Sequence, residues 1–147
     1  MEILLVDDNP NDAELAMRAI KRGRFSGRIV HVDDGVKAVD YLLGIGAYAD
    51  RAGARQPRVV FLDLKMPRMD GIGVLRRVKA EVALRPVPIV MLTSSREPPD
   101  IVECYRLGVN SYVVKPVNFD EYEALMAALV HYWTRLNLPP LATAVPG

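Results

Sequence analysis

The chain has 147 residues, half of them hydrophobic, which suffices for one globular domain with a proper core and leaves no room for a second catalytic or DNA-binding domain. Nineteen basic and 18 acidic residues give a formal net charge of +1, so no global basic field recruits nucleic acid, and the single cysteine excludes an internal disulfide or a cysteine-based metal cluster. No apolar run approaches the ~18 residues of a membrane span, and the N-terminus opens straight into a strand pattern without a signal peptide, so a soluble cytoplasmic protein is expected.

Short β-rich runs alternate with helical patterns along the whole chain, the mark of repeated βαβ units and a parallel sheet. The first strand is predicted near 2–7, where Ile3-Leu4-Leu5-Val6 runs into Asp7-Asp8. A helix near 10–23 follows, with Asn9 suited to cap it, Pro10 near its start and Gly23 at its end. The second strand, near 28–32, includes His31, and Asp33-Asp34-Gly35 reads as a turn and cap before a helix near 34–43. Gly44 to Pro57 is a long Gly- and Ala-rich connection whose first glycines follow a helix rather than a strand, which argues against a phosphate loop.

The third strand, near 58–63, ends Val59-Val60-Phe61-Leu62-Asp63 and turns through Leu64-Lys65-Met66-Pro67, and Asp70 caps a helix near 71–81. The fourth, near 87–92, leads into Thr93-Ser94-Ser95 and a helix near 98–107, where Cys104 reads as a packed thiol. The fifth, near 111–114, carries Tyr112 and stops at Lys115-Pro116, where a cis bond to the proline would aim the lysine inward. The last helix is predicted near 119–136, with Asn118 as its cap and Glu121 three residues on. Its stripe Tyr122, Leu125, Met126, Leu129, Trp133 and Leu136 faces the core. A Pro-interrupted apolar tail occupies 138–147.

Five strand ends thus carry chemistry. Asp7, Asp8, Asp63, Thr93 and Lys115 meet at the carboxyl ends of parallel strands, where open α/β sheets place their sites. The acids suit a hard cation such as Mg²⁺, and Thr93 and Lys115 suit an incoming phosphoryl group. Capping explains Asn9 and Pro10 but gives no reason for two adjacent carboxylates, which repel unless a cation or a lysine compensates them. Asp33-Asp34, an equally acidic pair with no such company, stays a turn and cap. Thr93 alone could simply satisfy local backbone groups.

With these residues in order, the sequence resembles the receiver domain of two-component response regulators over about residues 2 to 136. The resemblance is carried by Asp7-Asp8, Asp63-Leu64-Lys65-Met66-Pro67-Arg68-Met69-Asp70-Gly71, Thr93-Ser94-Ser95 and Lys115-Pro116. It implies an α/β flavodoxin-like fold, a doubly wound five-stranded parallel sheet in order 2-1-3-4-5 with five helices, occupying 1–137. It implies that Asp63 takes a phosphoryl group from a phosphohistidine on a sensor histidine kinase. It implies further that Asp8, Asp63 and the Lys65 carbonyl bind Mg²⁺ directly while Asp7 acts mostly through water. Lys115 would pair with the phosphoryl oxygens, Thr93 would swing to hydrogen-bond them, and Tyr112 would move inward with it. The 44–57 connection, the loop at 84–90 and the ending His131-Tyr132-Trp133-Thr134-Arg135-Leu136-Asn137-Leu138-Pro139 are similar to stand-alone regulators that partner bacterial phytochromes.

Other readings fit less well. A haloacid-dehalogenase-type phosphohydrolase needs an aspartate two residues after the nucleophile, where this chain has Lys65. A flavin-binding fold would not put Asp7-Asp8 where a phosphate sits, and His31 and His131 are the only histidines available to a Ser-His-Asp hydrolase, whose G-x-S-x-G is missing. The runner-up is a receiver-like adaptor that signals without phosphorylation. Val130, Tyr132, Leu138, Leu141 and Val145 exceed what one helix face buries, so a homodimer through the last helix and tail is expected.

Overall fold

Within residues 1–140, which the computed structural model describes, five strands alternate with five α-helices. The strands are β1 (Glu2–Val6), β2 (Arg28–Val32), β3 (Val59–Leu62), β4 (Ile89–Thr93) and β5 (Ser111–Val114). The helices are α1 (Pro10–Arg22), α2 (Gly35–Leu43), α3 (Gly71–Ala80), α4 (Pro98–Arg106) and α5 (Phe119–His131). All strand pairs are parallel, and their order is β2-β1-β3-β4-β5, the doubly wound arrangement expected from the sequence. The order reverses direction at β1, which has β2 on one side and β3 on the other. A crevice therefore opens at the carboxyl ends of β1 and β3.

Both faces of the sheet are apolar because both are covered. Alternation along β1 sends Leu4 and Val6 into a core shared with α2, α3 and α4, and Ile3 and Leu5 into one shared with α1 and α5. Phe61 is fully buried on the α1/α5 side. On that side α1 presents Ala13, Ala16, Ala19 and Ile20, small residues that let its backbone lie close to the strands and to α5. Local signals set the helix starts. The Asn9 side chain accepts from the N–H groups of Asn11 and Asp12, and Asp34, Asp70 and Asn118 cap α2, α3 and α5 in the same way. Cys104 is fully buried, and burial pushes its thiol up to about 11, the setting of a packing side chain rather than a thiolate nucleophile.

The 44–57 connection forms a 3₁₀ turn (Gly46–Arg51) fastened at the amino end of the sheet, away from the crevice. Gly44 ends α2 at φ 66°, a left-handed conformation that glycine adopts without steric penalty. Arg51 lies 3.5 Å over the Tyr41 ring, and the Tyr41 hydroxyl donates to Glu2 Oε1 at 2.6 Å.

Two expectations need correction. The described residues contain no cis peptide bond, so Lys115–Pro116 is trans. The lysine is held instead by the strand itself, its N–H donating to the Thr93 carbonyl at 2.8 Å. The last helix is α-helical only to His131 and continues as a π-helical turn over Tyr132–Leu136. Thr134 Oγ1 donates to the Val130 carbonyl at 2.6 Å, a side chain inserted into the backbone ladder there. Val130 continues the α-helical stripe of Tyr122 and Met126 and is buried at 3 % exposure, whereas Leu136, at the end of the wider turn, is 63 % exposed, the reverse of the sequence reading. Leu141 and Val145 lie outside the described residues.

Candidate functional site

The strand register builds the site. Val6 pairs with Leu62, and the Asp63 N–H donates to the Val6 carbonyl at 2.9 Å, which sets Asp7 and Asp63 side by side past the ends of β1 and β3. Thr93 closes β4, and Lys115 follows β5 on the neighbouring strand. One carboxylate oxygen from each of Asp7, Asp8 and Asp63 lies within 4.8 Å of the others. The sheet therefore gathers all five strand-end residues that the sequence singles out.

Their environments differ. Asp7 is buried; one of its oxygens accepts from the Asn9 N–H at 2.9 Å and the other from Lys115 Nζ at 3.2 Å. Asp8 is exposed at the mouth of the crevice. Asp63 is half-buried, with Oδ1 accepting from the Leu64 N–H at 2.9 Å. Burial pushes its carboxyl up to about 6; Lys115 pulls the other way, while Asp7 and Asp8 add to the rise. Lys65 is exposed at the start of the next loop. Thr93 is buried, and its Oγ1 accepts from the Ser95 N–H at 3.2 Å. Tyr112 is half-buried and donates its hydroxyl to the Ser95 carbonyl at 3.0 Å. Ser95 in turn donates its hydroxyl to Asp100 in the first turn of α4, at 2.8 Å.

Three crowded acids with a carboxyl forced upward are the donor set of a hard cation, which relieves their repulsion. Asp8 and Asp63 retain oxygens free of the Asn9 and Lys115 contacts that occupy Asp7, so the residues present fit a divalent ion with Asp7 in a supporting place. The same basin can receive a phosphoryl group, because Lys115 supplies a cation and Thr93 a hydroxyl donor on the side facing β4 and β5. A surface groove of about 230 Å³ adjoins it, walled by Asp12, Leu15, Lys115, Pro116, Val117 and Phe119.

Three residues near the site carry no strong sequence signal. Asp12, in the first turn of α1, approaches Lys115 Nζ at 3.7 Å through Oδ2, and only its spacing after the acidic pair hints at this. His31 Nε2–H donates to the Asp7 carbonyl at 2.8 Å. Arg68, in the loop after β3, pairs with Asp34 across 34 positions of sequence.

Residues 3–127 match the model of the response regulator receiver domain. The probable methanogenesis regulatory protein FilR2 of Methanothrix harundinacea is 40 % identical over 138 residues, covering 94 % of this chain and 86 % of that one. Among solved structures, the Mn²⁺-bound form of response regulator Rcp1 superposes with a TM-score of 0.86 at 28 % identity, over 95 % of this chain and 99 % of the other. The bacteriophytochrome response regulator RtBRR gives 0.75 at 44 % identity, over 97 % and 86 %.

Proposed function

The chain belongs to the response regulator receiver domain family, and from that premise we propose that it is a response regulator that takes a phosphoryl group onto Asp63 from a sensor histidine kinase. Receiver domains are phosphorylated by histidine kinases and act as signalling proteins rather than enzymes with a separate substrate. The observation that carries the reading is the convergence of Asp7, Asp8, Asp63, Thr93 and Lys115 on one crevice.

The chemistry follows from the geometry. Asp63 offers its Oδ2 to the phosphorus of a phosphohistidine; the new O–P bond forms as the P–N bond breaks, and the imidazole leaves with the electron pair and takes up a proton. Lys115, released from Asp7, pairs with a phosphoryl oxygen, and the Thr93 hydroxyl turns from the Ser95 N–H to donate to another. Asp8, Asp63 and the Lys65 carbonyl would hold Mg²⁺, with Asp7 reaching it through water. The ion neutralises charge on the phosphoryl oxygens when bound. Thr93 movement loosens the Ser95 turn on which Tyr112 rests, so Tyr112 and the α4–β5–α5 face form the output.

The bacteriophytochrome regulators among the similar structures support a phytochrome-type kinase as partner, while the similar FilR2 carries the description of a probable methanogenesis regulatory protein. The groove beside Lys115, with Val117 and Phe119 exposed on its rim, supports docking of the kinase next to Asp63. Among the described residues no helix is long and apolar enough to cross a membrane; a partnership with such a kinase supports a cytoplasmic location. Exposed Tyr132, Leu136 and Leu138 at the end of the last helix support a homodimer built there.

The test is incubation with acetyl phosphate and Mg²⁺ followed by intact-protein mass spectrometry. The parent should gain one phosphoryl group and Asp63→Asn none. No adduct on the parent would point to an adaptor that signals without phosphorylation.

A further inference from the structure

The end of edge strand β2 touches the site twice from outside. The Asp7 N–H donates to the Val32 carbonyl at 3.2 Å, and His31 Nε2–H donates to the Asp7 carbonyl at 2.8 Å, so both sides of Asp7's backbone are tied to β2. The second of these bonds fixes the peptide plane that leads into Asp8. Two residues past β2, Asp34 Oδ1 caps α2 through the Lys37 N–H at 2.8 Å, and Oδ2 takes the Arg68 guanidinium. Arg68 belongs to the loop that runs from Asp63 to Asp70. That loop is drawn tight by Met69 N–H on the Pro67 carbonyl at 2.7 Å and Gly71 N–H on the Leu64 carbonyl at 2.8 Å. It also lies hard against α2, since a Cβ at Gly35 would stand 2.2 Å from the Met69 carbonyl oxygen.

Two features argue against a merely stabilising role. Arg68 is held at φ 64°, a conformation that strains a residue with a Cβ and that glycine would adopt freely. Its side chain is more than half exposed, so the ion pair adds little to the stability of the fold. A strained residue kept for a weak bond suggests that the bond positions something.

We propose that the β2–α2 junction is a brace for the cation site, His31 fixing the Asp7–Asp8 peptide and Asp34, through Arg68, fixing the Leu64–Met69 loop. This rests on the assignment above of Asp8, Asp63 and the Lys65 carbonyl as the cation's ligands. Neither His31 nor Arg68 touches the ion; both orient groups that do, and such outer partners commonly change metal affinity tenfold or more.

Calorimetric titration with MgCl₂, paired with thermal melts in EDTA, tests the brace on the full chain. Arg68→Gly should melt no lower than the parent, because the strain is gone, yet bind Mg²⁺ roughly tenfold more weakly. Asp34→Asn retains the helix cap and should show the same loss, with the double variant no worse than either single one. His31→Phe should weaken binding separately, and its loss should multiply with that of Arg68→Gly. Arg68→Lys should recover part of the affinity. Parent-like binding in both Arg68→Gly and His31→Phe overturns the brace, as does an affinity loss that merely follows the melting temperature. A parent that takes up no Mg²⁺ overturns the ligand assignment, and the brace falls with it.

Discussion

Asp63 is held in a place where its own charge is unwelcome, with burial and two neighbouring acids pushing its carboxyl up to about 6 against the opposing pull of Lys115 and the Leu64 N–H. Its folded pKa therefore lies above the unfolded value of 3.8, and without metal the folded state binds the proton more tightly. Stability from this group is complete below the unfolded value and is lost as pH rises through about 6. Asp63→Asn removes the penalty. In EDTA the variant should exceed the parent by on the order of 1–2 kcal/mol at pH 8 and by almost nothing at pH 4, with the exposed part of the group discounted for solvent screening. Chemical denaturation at the two pH values checks this, and an equal gain at both would reject it. Lys65, exposed two residues past Asp63, stands where a long cation can cover or engage a phosphoryl group. Lys65→Ala should shorten the phosphoryl lifetime severalfold, measured by decay of the mass adduct after donor removal. Slower or unchanged decay would refute the shielding. Ser95, at the matching place after Thr93, is already engaged by Asp100 and leaves that role to Lys65.

At the scale of elements, the sequence shows the strands well because each is a continuous apolar run that must be buried on two faces, as Ile3 to Val6 and Val59 to Leu62 are. Caps at Asn9, Asp34, Asp70 and Asn118 are equally legible, since each acts within three residues. The five strand-end site residues follow from that pattern. What escapes is contact across distance: Arg68 with Asp34 depends on a left-handed backbone that the sequence does not mark with glycine, and His31 reads only as a strand residue until β2 is laid beside β1. The π-helical turn escapes for another reason. Apolar periodicity assumes a constant pitch, and Thr134 changes it by occupying the Val130 carbonyl. Thr134→Ala should leave that carbonyl short of its hydroxyl partner and cost about 1–2 kcal/mol in urea unfolding. A loss below experimental error would show that the turn persists without the hydroxyl.

For the whole molecule, the π-helical turn bears on assembly. Val130 now belongs to the domain core, but Tyr132, Leu136 and Leu138 remain exposed at one end, with Val102 and Tyr105 exposed on α4. We expect a two-fold dimer using the end of the last helix, because isologous pairs are the commonest way to cover such a surface. Light scattering across concentrations on the full chain and on one ending at Asn137 tests it. A monomer throughout refutes the dimer, and equal affinity in the shortened chain refutes a part for the residues beyond Asn137.

The packing of α1 against α5 sets an order in time. The first helix made rests its alanine face, with Ile20, on the last one. During synthesis that face lacks its α5 cover until residues as late as Trp133 have left the ribosome, and β1 lacks its second neighbour until β3 follows. Parallel pairing across such separations is slow and leaves strand edges open meanwhile. A fragment stopped before α5 should therefore appear in the insoluble fraction when expressed.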